Sequence, residues 1–562
     1  TLKLAHYLNE STLQFDELAL NGSWSFRNNR KQLALRITDM AFLQSGLRGR
    51  ADVTHLLPWP LVPGKLGEID LKAHFPTVRL DRVVAYVPSA AGADTRDWLS
   101  NGLLDGQANE VDLIIKGELD KFPFEASAGK PAPNGVFRLS AKVTRGKLSP
   151  APQELASDRR TPLWPRIDDI EGRVTIDRTR LHVHADSART LGVPLSAVDV
   201  VIPDFYAEHP VLEVTGSAGG LIQPMLNYVN ATPIASWIDD FTEETRASGN
   251  ARLNLKMQLP LTEVGEPTVQ GSVRFNGNDV QLWRALPLVS QVNGELGFSH
   301  QGFQLTGLHG NFMGGPAVIT GGSQRDGSTV VRIDGSVTAD GILRAAPTAE
   351  AKRLARKLSG TARYAANIKV RNQRMEFSLD SSLGGLAMDL PSPLQKVAGE
   401  TLPLRLAIVP TASDAGSESE DVRISLGRSI SARYLRQKAA GKEAPWRVLR
   451  GAIGVNASPL LPESGISLTL SLSSLNLDAW RHLVADLGSE GSSAGDSGSA
   501  AATATSMMAY LLPDVVSLRA GELTFADRTI ENATVGVSRN RSGWHFSVNA
   551  DEIVGRVSWE DP

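Results

Sequence analysis

Two histidines and an aspartate have the residue types and the spacing of a metal site: His182, His184 and Asp186 in the stretch HVHAD. Alternate residues of a strand point to the same face, and imidazole and carboxylate groups are the ligands that zinc prefers. The residues that alternate with the histidines, Leu181 and Val183, are apolar. This alternation equally fits two exposed histidines opposite a buried face, and we favour that interpretation and predict no metal.

A run of carboxylates is the second candidate for chemistry. The stretch WIDDFTEE contains Asp239, Asp240, Glu243 and Glu244. Two facing carboxylates are the catalytic pair of glycoside hydrolases. Such a run is also typical of the exposed end of a helix, and no second acidic cluster with a nearby aromatic platform accompanies it. We therefore predict no catalytic site here.

Other catalytic and binding classes have little support in the composition. The 562 residues contain no cysteine, which excludes disulfides, thiolate catalysis and cysteine metal sites. There is no G-x-S-x-G elbow, no phosphate-binding P-loop and no dinucleotide fingerprint after a strand. The net charge of −3 gives no electrostatic reason to expect nucleic acid, and no apolar run approaches the roughly 18 residues of a membrane span. We expect no enzyme, no cofactor and no nucleic-acid partner.

The dominant pattern is the strict alternation of apolar and polar residues. ARLNLKMQLPL places Leu253, Leu255, Met257 and Leu259 on one side and Asn254 on the other, and ISLTLSLSSL repeats the pattern. One apolar and one polar face is typical of antiparallel sheet. We expect these apolar sides to line one groove, although the register between strands is not fixed by the pattern. The predicted lining residues are Leu253, Leu255, Met257, Leu259, Val273, Phe275, Leu296, Phe298, Phe303, Leu305, Ile368, Val370, Phe377, Leu468, Leu470 and Leu472.

Helices are predicted to be few and short. The best candidates are residues 95–104, 219–229, 233–241, 348–360 and 476–488. In the predicted helix 348–360, the basic run KRLARKL could bind anionic lipid headgroups. A solvated helix face is the favoured interpretation. Two small, polar stretches, 411–421 and 488–506, are predicted to be loops.

An internal repeat supports a stacked architecture. A single offset of 122 residues aligns Gly172 with Gly294, Leu181 with Phe303, and Pro194 with Pro316, without a gap over about thirty residues. The second copy is rich in glycine, and Gly314 and Gly315 are predicted to form a tight turn or bulge between strands. The period favours a repeated antiparallel meander over a β-helix, whose coils take roughly 20–25 residues.

Several longer motifs occur together and in a recognisable order. The chain carries TRDWLSNGLLDGQANEVDLIIKGELDKFPF, LWPRIDDIEGRVTID, VQGSVRFNGNDVQL, NFMGGPAVI and, near its end, AGELTFADRTIENATVGV. With these motifs it resembles the YhdP branch of the AsmA-like proteins of Gram-negative bacteria, over most of its length. No catalytic motif belongs to that family.

The resemblance implies an elongated, curved antiparallel sheet of repeated β units with a long apolar groove and a few short helices at its edges. It implies a phospholipid-transport protein in the periplasm, anchored in the inner membrane through an N-terminal segment absent from this chain. Its implied partners are phospholipids and the inner and outer membranes, and its implied role is to maintain the outer-membrane barrier. The alternatives are a structural or adhesive β protein without lipid cargo and an enzyme on a repetitive β scaffold.

The expected organisation has five segments. Residues 1–150 are β-groove repeats with a short helix near 95–104, and residues 151–345 are the duplicated units with a helical insert near 219–241. Residues 346–487 are further repeats with short helices. Residues 488–506 form a loop rich in serine, glycine and alanine, and residues 507–562 form a final β unit.

Overall fold

The fold is described from a computed structural model of the chain. It describes residues 2–3, 12–87, 91–124, 134–156, 158, 160–238, 240–262, 266–283, 286–346, 348–371, 374–412, 417–439, 446–458, 460–488, 513–540 and 543–560. These residues fall into two compact units. Unit 1 comprises Thr1–Asn278 and Glu295–Gly302, and unit 2 comprises Asp279–Gly294 and Phe303–Pro562.

Unit 1 is built mainly of antiparallel strands that pair with their neighbours in chain order. The short β1 and β2 pair only with each other, and β3 to β12 and then β14 and β15 follow one another. The strands are β1 (Leu2–Lys3), β2 (Thr12–Leu13), β3 (Glu17–Arg27), β4 (Gln32–Gln44), β5 (Leu47–Pro58), β6 (Glu68–Arg79), β7 (Leu103–Glu118), β8 (Gly135–Leu148), β9 (Ile167–Asp177), β10 (Arg180–Thr190), β11 (Val193–Ile202), β12 (Val211–Leu221), β13 (Arg246–Ser248), β14 (Asn250–Pro260) and β15 (Thr268–Gln281).

Unit 2 continues the same design, which confirms the predicted mostly β, antiparallel fold class. The exceptions are the pairings of β26 with β27 and of β27 with β28, which are parallel. The strands are β16 (Val289–Ser299, with residues in both units), β17 (Gly302–Phe312), β18 (Gly315–Ser323), β19 (Thr329–Thr338), β20 (Leu358–Arg371), β21 (Arg374–Ser381), β22 (Leu386–Met388), β23 (Leu404–Thr411), β24 (Ser417–Leu426), β25 (Ile430–Ala439), β26 (Arg447–Val455), β27 (Gly465–Asn476), β28 (Val515–Phe525), β29 (Arg528–Asn540), β30 (Gly543–Asn549) and β31 (Val554–Glu560).

Short helices occur at all five predicted places, although their bounds differ from the predicted ones. They are α1 (Ala93–Gly102), α2 (Ile222–Asn230), α3 (Ile234–Trp237), α5 (Ala349–Ala355) and α6 (Leu477–Gly488), and the sequence reasoning missed α4 (Ala339–Ala345). The hydroxyls of Thr338 and Thr348 cap α4 and α5 by accepting hydrogen bonds from Gly341 N and Ala351 N. Two 3-10 helices, Leu80–Tyr86 and Leu119–Lys121, complete the described helical structure. Among the described residues, no helix is both long and apolar enough to span a membrane.

In each unit the α-helices lie at one set of strand ends. In unit 1, α1 leads into β7 and α2 follows β12, and the pairing of Leu103 with Leu148 and of Leu221 with Asn250 puts both helices at the same side of the sheet. We call this side the helix rim and the opposite side the turn rim. In unit 2, α4 and α5 follow β19 and α6 follows β27, again at one rim.

The backbone repeats with the offset seen in the sequence. Adding 122 to the bounds of β9 and β10 gives the bounds of β16 and β17. The unusual backbone angles recur as well, since Leu191 and Gly192 have φ of 44° and 80°, and Met313 and Gly314 have φ of 48° and 82°. Gly314 therefore occupies a tight turn between strands, as predicted.

One predicted loop is wrong in part. Residues 411–421 look like a loop because they are small and acidic, yet β24 begins at Ser417. Its carboxylates are satisfied by arginines of its own strand and of the neighbouring β25. Asp421 Oδ2 accepts from Arg423 and Arg433, and Glu420 Oε2 accepts from Arg436 at 2.7 Å. The predicted loop at 488–506 lies, beyond Gly488, outside the described residues.

A glycine on β18 allows the neighbouring backbone to approach closely. Gly321 has φ of 127°, and a Cβ there would collide with the carbonyl oxygen of Val330. We predict that Gly321→Ala lowers the free energy of unfolding of unit 2 by about 1–3 kcal/mol, because both the backbone angle and the contact become strained. Chemical denaturation checks this. The control Gly399→Ala, where a Cβ meets nothing within 4 Å, should change little, and equal losses in both variants would contradict the steric account.

Candidate functional site

The alternation in β14 separates a half-buried side from an exposed side. Leu253, Leu255 and Met257 are half-buried, whereas Asn254 and Lys256 are exposed. Directly paired residues of neighbouring strands share a face, so the register shows which side chains lie beside them. Leu253 pairs with Val273 of β15 and with Ala218 of β12, and Leu259 pairs with Leu212.

These pairs form rows that cross unit 1. Phe275 pairs with Ala251, which places it on the same face. Phe298 lies there too, because its ring fills the space that a Cβ on Gly271 would take, and Leu296 shares its side by alternation. One row, read from direct pairings, runs through Val174, Val183, Val200, Val214, Met257 and Val269.

Unit 2 has a longer apolar face. One row crosses from β17 to β27 through Leu305, Gly321, Val331, Ile368, Phe377, Ile408, Val422, Tyr434, Gly451 and Ile466. A second runs from β18 to β31 through Ile319, Ile333, Ala366, Leu379, Leu406, Ile424, Ala432, Ile453, Leu468, Val516, Val537, Phe546 and Val557. Phe303 and Val370 belong to this face by alternation with Leu305 and Ile368. The predicted lining set has no member on β18, β19, β23 to β26 or β28 to β31, so the sequence reasoning missed these parts of the face.

The middle of this face packs on itself. One cluster has Val422, Tyr434 and Ile466 as its buried members and is completed by half-buried residues. All of its members lie on five consecutive strands, β23 to β27. Tyr434 is only 3% exposed, although the cluster contains side chains from one face of a single sheet. Side chains of neighbouring strands therefore shield each other, and the half-buried ones keep part of their apolar surface open.

Among the described residues, α-helices cover the face near the helix rim. Met225 of α2 packs in a cluster with Val193, Ala218 and Leu253. In unit 2, Leu470 and Leu472 pack in a cluster that also contains Trp480 of α6. Three predicted lining residues, Leu253, Leu470 and Leu472, thus contact protein where the pattern alone suggested an open groove.

Charged side chains border the face at the turn rim. Glu420 is two residues from Val422 and therefore shares its side. It pairs with Arg436, whose guanidinium carbon lies 4.6 Å from the centre of the Trp446 ring. The sequence reasoning missed this pair, because no local pattern shows that the two residues face each other across β24 and β25. The apolar face consequently ends in polar groups at its margin.

The two histidines lie on the opposite, outer face. His182 Nε2 and His184 Nδ1 both contact Oδ1 of Asp199, at 2.8 and 2.9 Å, while Asp186 lies 3.5 Å from His184. The hydrogen bond to Asp199 raises the pKa of His184, and the hydrogen bonds from both histidines lower the pKa of Asp199. No group of side chains able to hold a metal ion occurs within the described ranges. The arrangement is an ion-paired cluster on the surface.

The described residues of the acidic run at 239–244 and of the basic helix α5 show no arrangement typical of a catalytic or binding site. Asp240, Glu243 and Glu244 are exposed in the turns between α3 and β13, and Asp239 lies outside the described residues. The basic helix α5 docks on α6, since Arg353 Nη1 donates to the carbonyl of Asp486 at 3.3 Å and Lys357 lies 3.5 Å from its carboxylate.

The fold and the face define a class of protein: one in which a sheet exposes a broad apolar face along many strands, with a polar outer side. Comparison with protein families gives a specific assignment. The family model described as YhdP protein matches residues 1–562, and the chain belongs to that family.

A curated relative is similar to part of the chain. It is the intermembrane phospholipid transporter YhdP of Escherichia coli (strain K12), 22% identical over 390 residues. The match covers 67% of this chain and 28% of the E. coli protein, so the chain corresponds to a minor part of that relative's length. No solved structure matches the chain significantly.

The histidine cluster generates a prediction about pH. The raised pKa of His184 means that protonation favours the folded state, so its contribution is complete below the ordinary value of 6.5 and is lost as the pH rises through the raised pKa. The lowered pKa of Asp199 means that its ionised form favours the folded state, so its contribution to stability is lost only when the pH falls into the acid range. We expect His184→Gln to reduce the loss of stability between about pH 6 and pH 8.5.

Chemical denaturation of both proteins at several pH values measures this effect. The matched control is His209→Gln, at an exposed turn position. The interpretation would be wrong if the His184 variant kept the full pH dependence of the parent protein.

Proposed function

We propose that the apolar face holds the acyl chains of phospholipids and that the protein carries them between the inner and outer membranes of a Gram-negative envelope. The observation that carries this proposal is the apolar row of unit 2, which continues from β18 to β31 on one side of the sheet. Membership of the family and the printed function of the E. coli relative support the same cargo. The outcome for the cell is maintenance of the outer-membrane barrier.

The face offers an acyl chain similar apolar contacts at successive positions, so that the chain can move along it. Each CH₂ group that moves from water onto an apolar surface gains about 0.8 kcal/mol. The members of the row are aliphatic or aromatic along its length, so successive positions offer similar contacts. The charged pair Glu420–Arg436 at the margin gives headgroups a polar border outside the apolar floor.

We further propose that the chain works in the periplasm, anchored in the inner membrane by a segment outside these residues. The proposed cargo-lining residues remain the predicted set, with Leu253, Leu470 and Leu472 lying where helices rest on the face. No reaction is part of this proposal. The five-segment organisation stays a prediction.

Photocrosslinking tests where lipid lies. We predict that a photoreactive residue placed at Leu255 or at Phe377 captures phospholipid in cells, because both side chains are half-buried on the apolar face. The outward neighbours Asn254 and Ser378 are the matched controls and should capture little. Equal capture from inward and outward positions would remove the assignment of the face.

A single charge should block transport without unfolding the protein. Leu255 lies between Gly216 and Gly271 on the neighbouring strands and is not a member of the cluster that contains Met225 of α2. We predict that Leu255→Asp folds, because an open face lets the carboxylate keep water, yet fails to support the outer-membrane barrier because passing acyl chains must contact it. The control Asn254→Asp adds the same charge to the exposed side and should be nearly silent.

Thermal melting and a detergent-sensitivity assay of the two variants separate the alternatives. A sealed core, as in a structural or adhesive protein, would lose several kcal/mol to an unpaired buried charge, so that the inward variant would melt early. A folded inward variant with an intact barrier would contradict the lipid path through unit 1.

A further inference from the structure

A loop at the turn rim of unit 1 has several exposed apolar side chains. It connects β5 to β6 and reads WPLVPGKL from Trp59 to Leu66, and all of these residues are exposed. Trp59 is 40% exposed, Leu61 60% and Val62 50%. Contiguous exposed apolar groups on a soluble surface mark sites of protein or membrane interaction.

The exposure does not result from a loosely held loop. Trp59 N donates to the carbonyl of Lys31 at 2.8 Å, and Lys65 N donates to the carbonyl of Val62 at 3.1 Å. At its far end, Leu66 N donates to Oδ1 of Asp120 at 2.8 Å, while Nε2 of His55 contacts the Leu66 carbonyl at 2.7 Å. The loop backbone is thus bonded to the backbone of Lys31 and to the side chains of Asp120 and His55, which fix the loop with its apolar side chains outward.

Basic and aromatic residues flank the loop. The hydrogen bond to Lys31 places it beside the β3–β4 turn, where Arg27, Arg30 and Lys31 are all exposed. The ring of Trp59 also lies 5.4 Å from that of Phe26, centre to centre. Within the loop, Lys65 keeps 64% exposure and lies 3.8 Å from Asp120, whose carboxylate also accepts from Leu66 N. Two further carboxylates, Glu68 and Glu118, lie on paired positions of β6 and β7 beside the loop, and Glu118 is ion-paired with Lys121.

We propose that this tip, Trp59–Leu66 with the turn from Arg27 to Lys31, docks on the surface of a lipid bilayer that carries anionic headgroups. Tryptophan favours the boundary between water and hydrocarbon, aliphatic side chains enter it, and lysine and arginine bind anionic headgroups. Charge complementarity selects this occupant, because the fixed apolar tip is bordered by three arginine and lysine side chains of the adjoining turn. The proposal goes beyond the proposed function, since it concerns attachment to a membrane and holds whether or not the apolar face carries lipid.

The absence of cysteine from the sequence allows a clean test on the whole chain. An environment-sensitive fluorophore is attached at Val62→Cys and, as a control, at Leu191→Cys, which is 51% exposed in the turn between β10 and β11 at the helix rim. We expect the emission at position 62 to rise at least about twofold on vesicles of phosphatidylglycerol and phosphatidylethanolamine, as the probe leaves water. It should stay unchanged at position 191 and at either position on vesicles of phosphatidylcholine alone.

Vesicle sedimentation of two double variants separates the apolar and basic contributions. Leu61→Ser with Val62→Ser and, separately, Arg30→Glu with Lys31→Glu should each weaken binding by about tenfold or more. Added salt should weaken binding of the parent protein and of the serine variant, and should have little further effect on the glutamate variant. Circular dichroism and melting of both variants should match the parent, because every substituted side chain is exposed.

Several results would overturn the proposal. One is unchanged emission of the probe at position 62 on anionic vesicles, and another is an equal rise in emission at positions 62 and 191. Equal binding to anionic and neutral vesicles would also overturn it. So would an emission change that depends on protein concentration in the absence of vesicles, because it would report association with a second copy of the chain. None of these results depends on crosslinking from Leu255 or Phe377. Failure of membrane docking is therefore distinguishable from failure of lipid carriage.

Discussion

Cross-strand register is the constraint on which the rest of this structure depends. Phe377 lies between Ile368 and Ile408 because β20, β21 and β23 pair in one register, and the next residue back, Glu376, points to water. A slip by one residue would exchange the two sides of a strand and bring charges into the apolar row. Because each strand pairs with its neighbours, the row of unit 2 holds only if all the registers agree. The hydrophobic effect at each pair therefore stabilises both the sheet and the continuity of the face.

The face differs from an ordinary core in how it ends. Near the helix rim, Met225 in unit 1 and Trp480 in unit 2 cover it, as hydrophobic residues do in any folded protein. In the middle, the cluster around Tyr434 consists of side chains from one sheet face only. At the turn rim of unit 2, the pair Glu420–Arg436 replaces apolar residues. A floor of half-buried aliphatic groups with a polar margin can take up an acyl chain while its headgroup stays in a polar setting.

The sequence predicted the features that depend on local alternation. The strands containing Leu255, Phe377 and Leu468 were placed correctly, because parity along a strand needs no knowledge of its partner. Features that depend on distant partners were missed or wrong. Ser417–Leu426 was read partly as a loop, since the arginines that satisfy its acids lie on its own and another strand. Leu470 and Leu472 pack against the same buried cluster as Trp480 of α6, and β27 pairs in parallel with its neighbours; both features join segments that no local pattern relates.

Lipid carriage by this protein requires that the apolar face is occupied by lipid. The most direct measurement is mass spectrometry of lipids extracted from the chain purified without detergent, beside a variant in which Leu379, Leu406 and Ile424 of the unit 2 row are changed to serine. The account predicts several phospholipids per chain in the parent protein and a clear loss in the variant, provided that circular dichroism shows both to be folded. A folded parent protein that carries no phospholipid would contradict it.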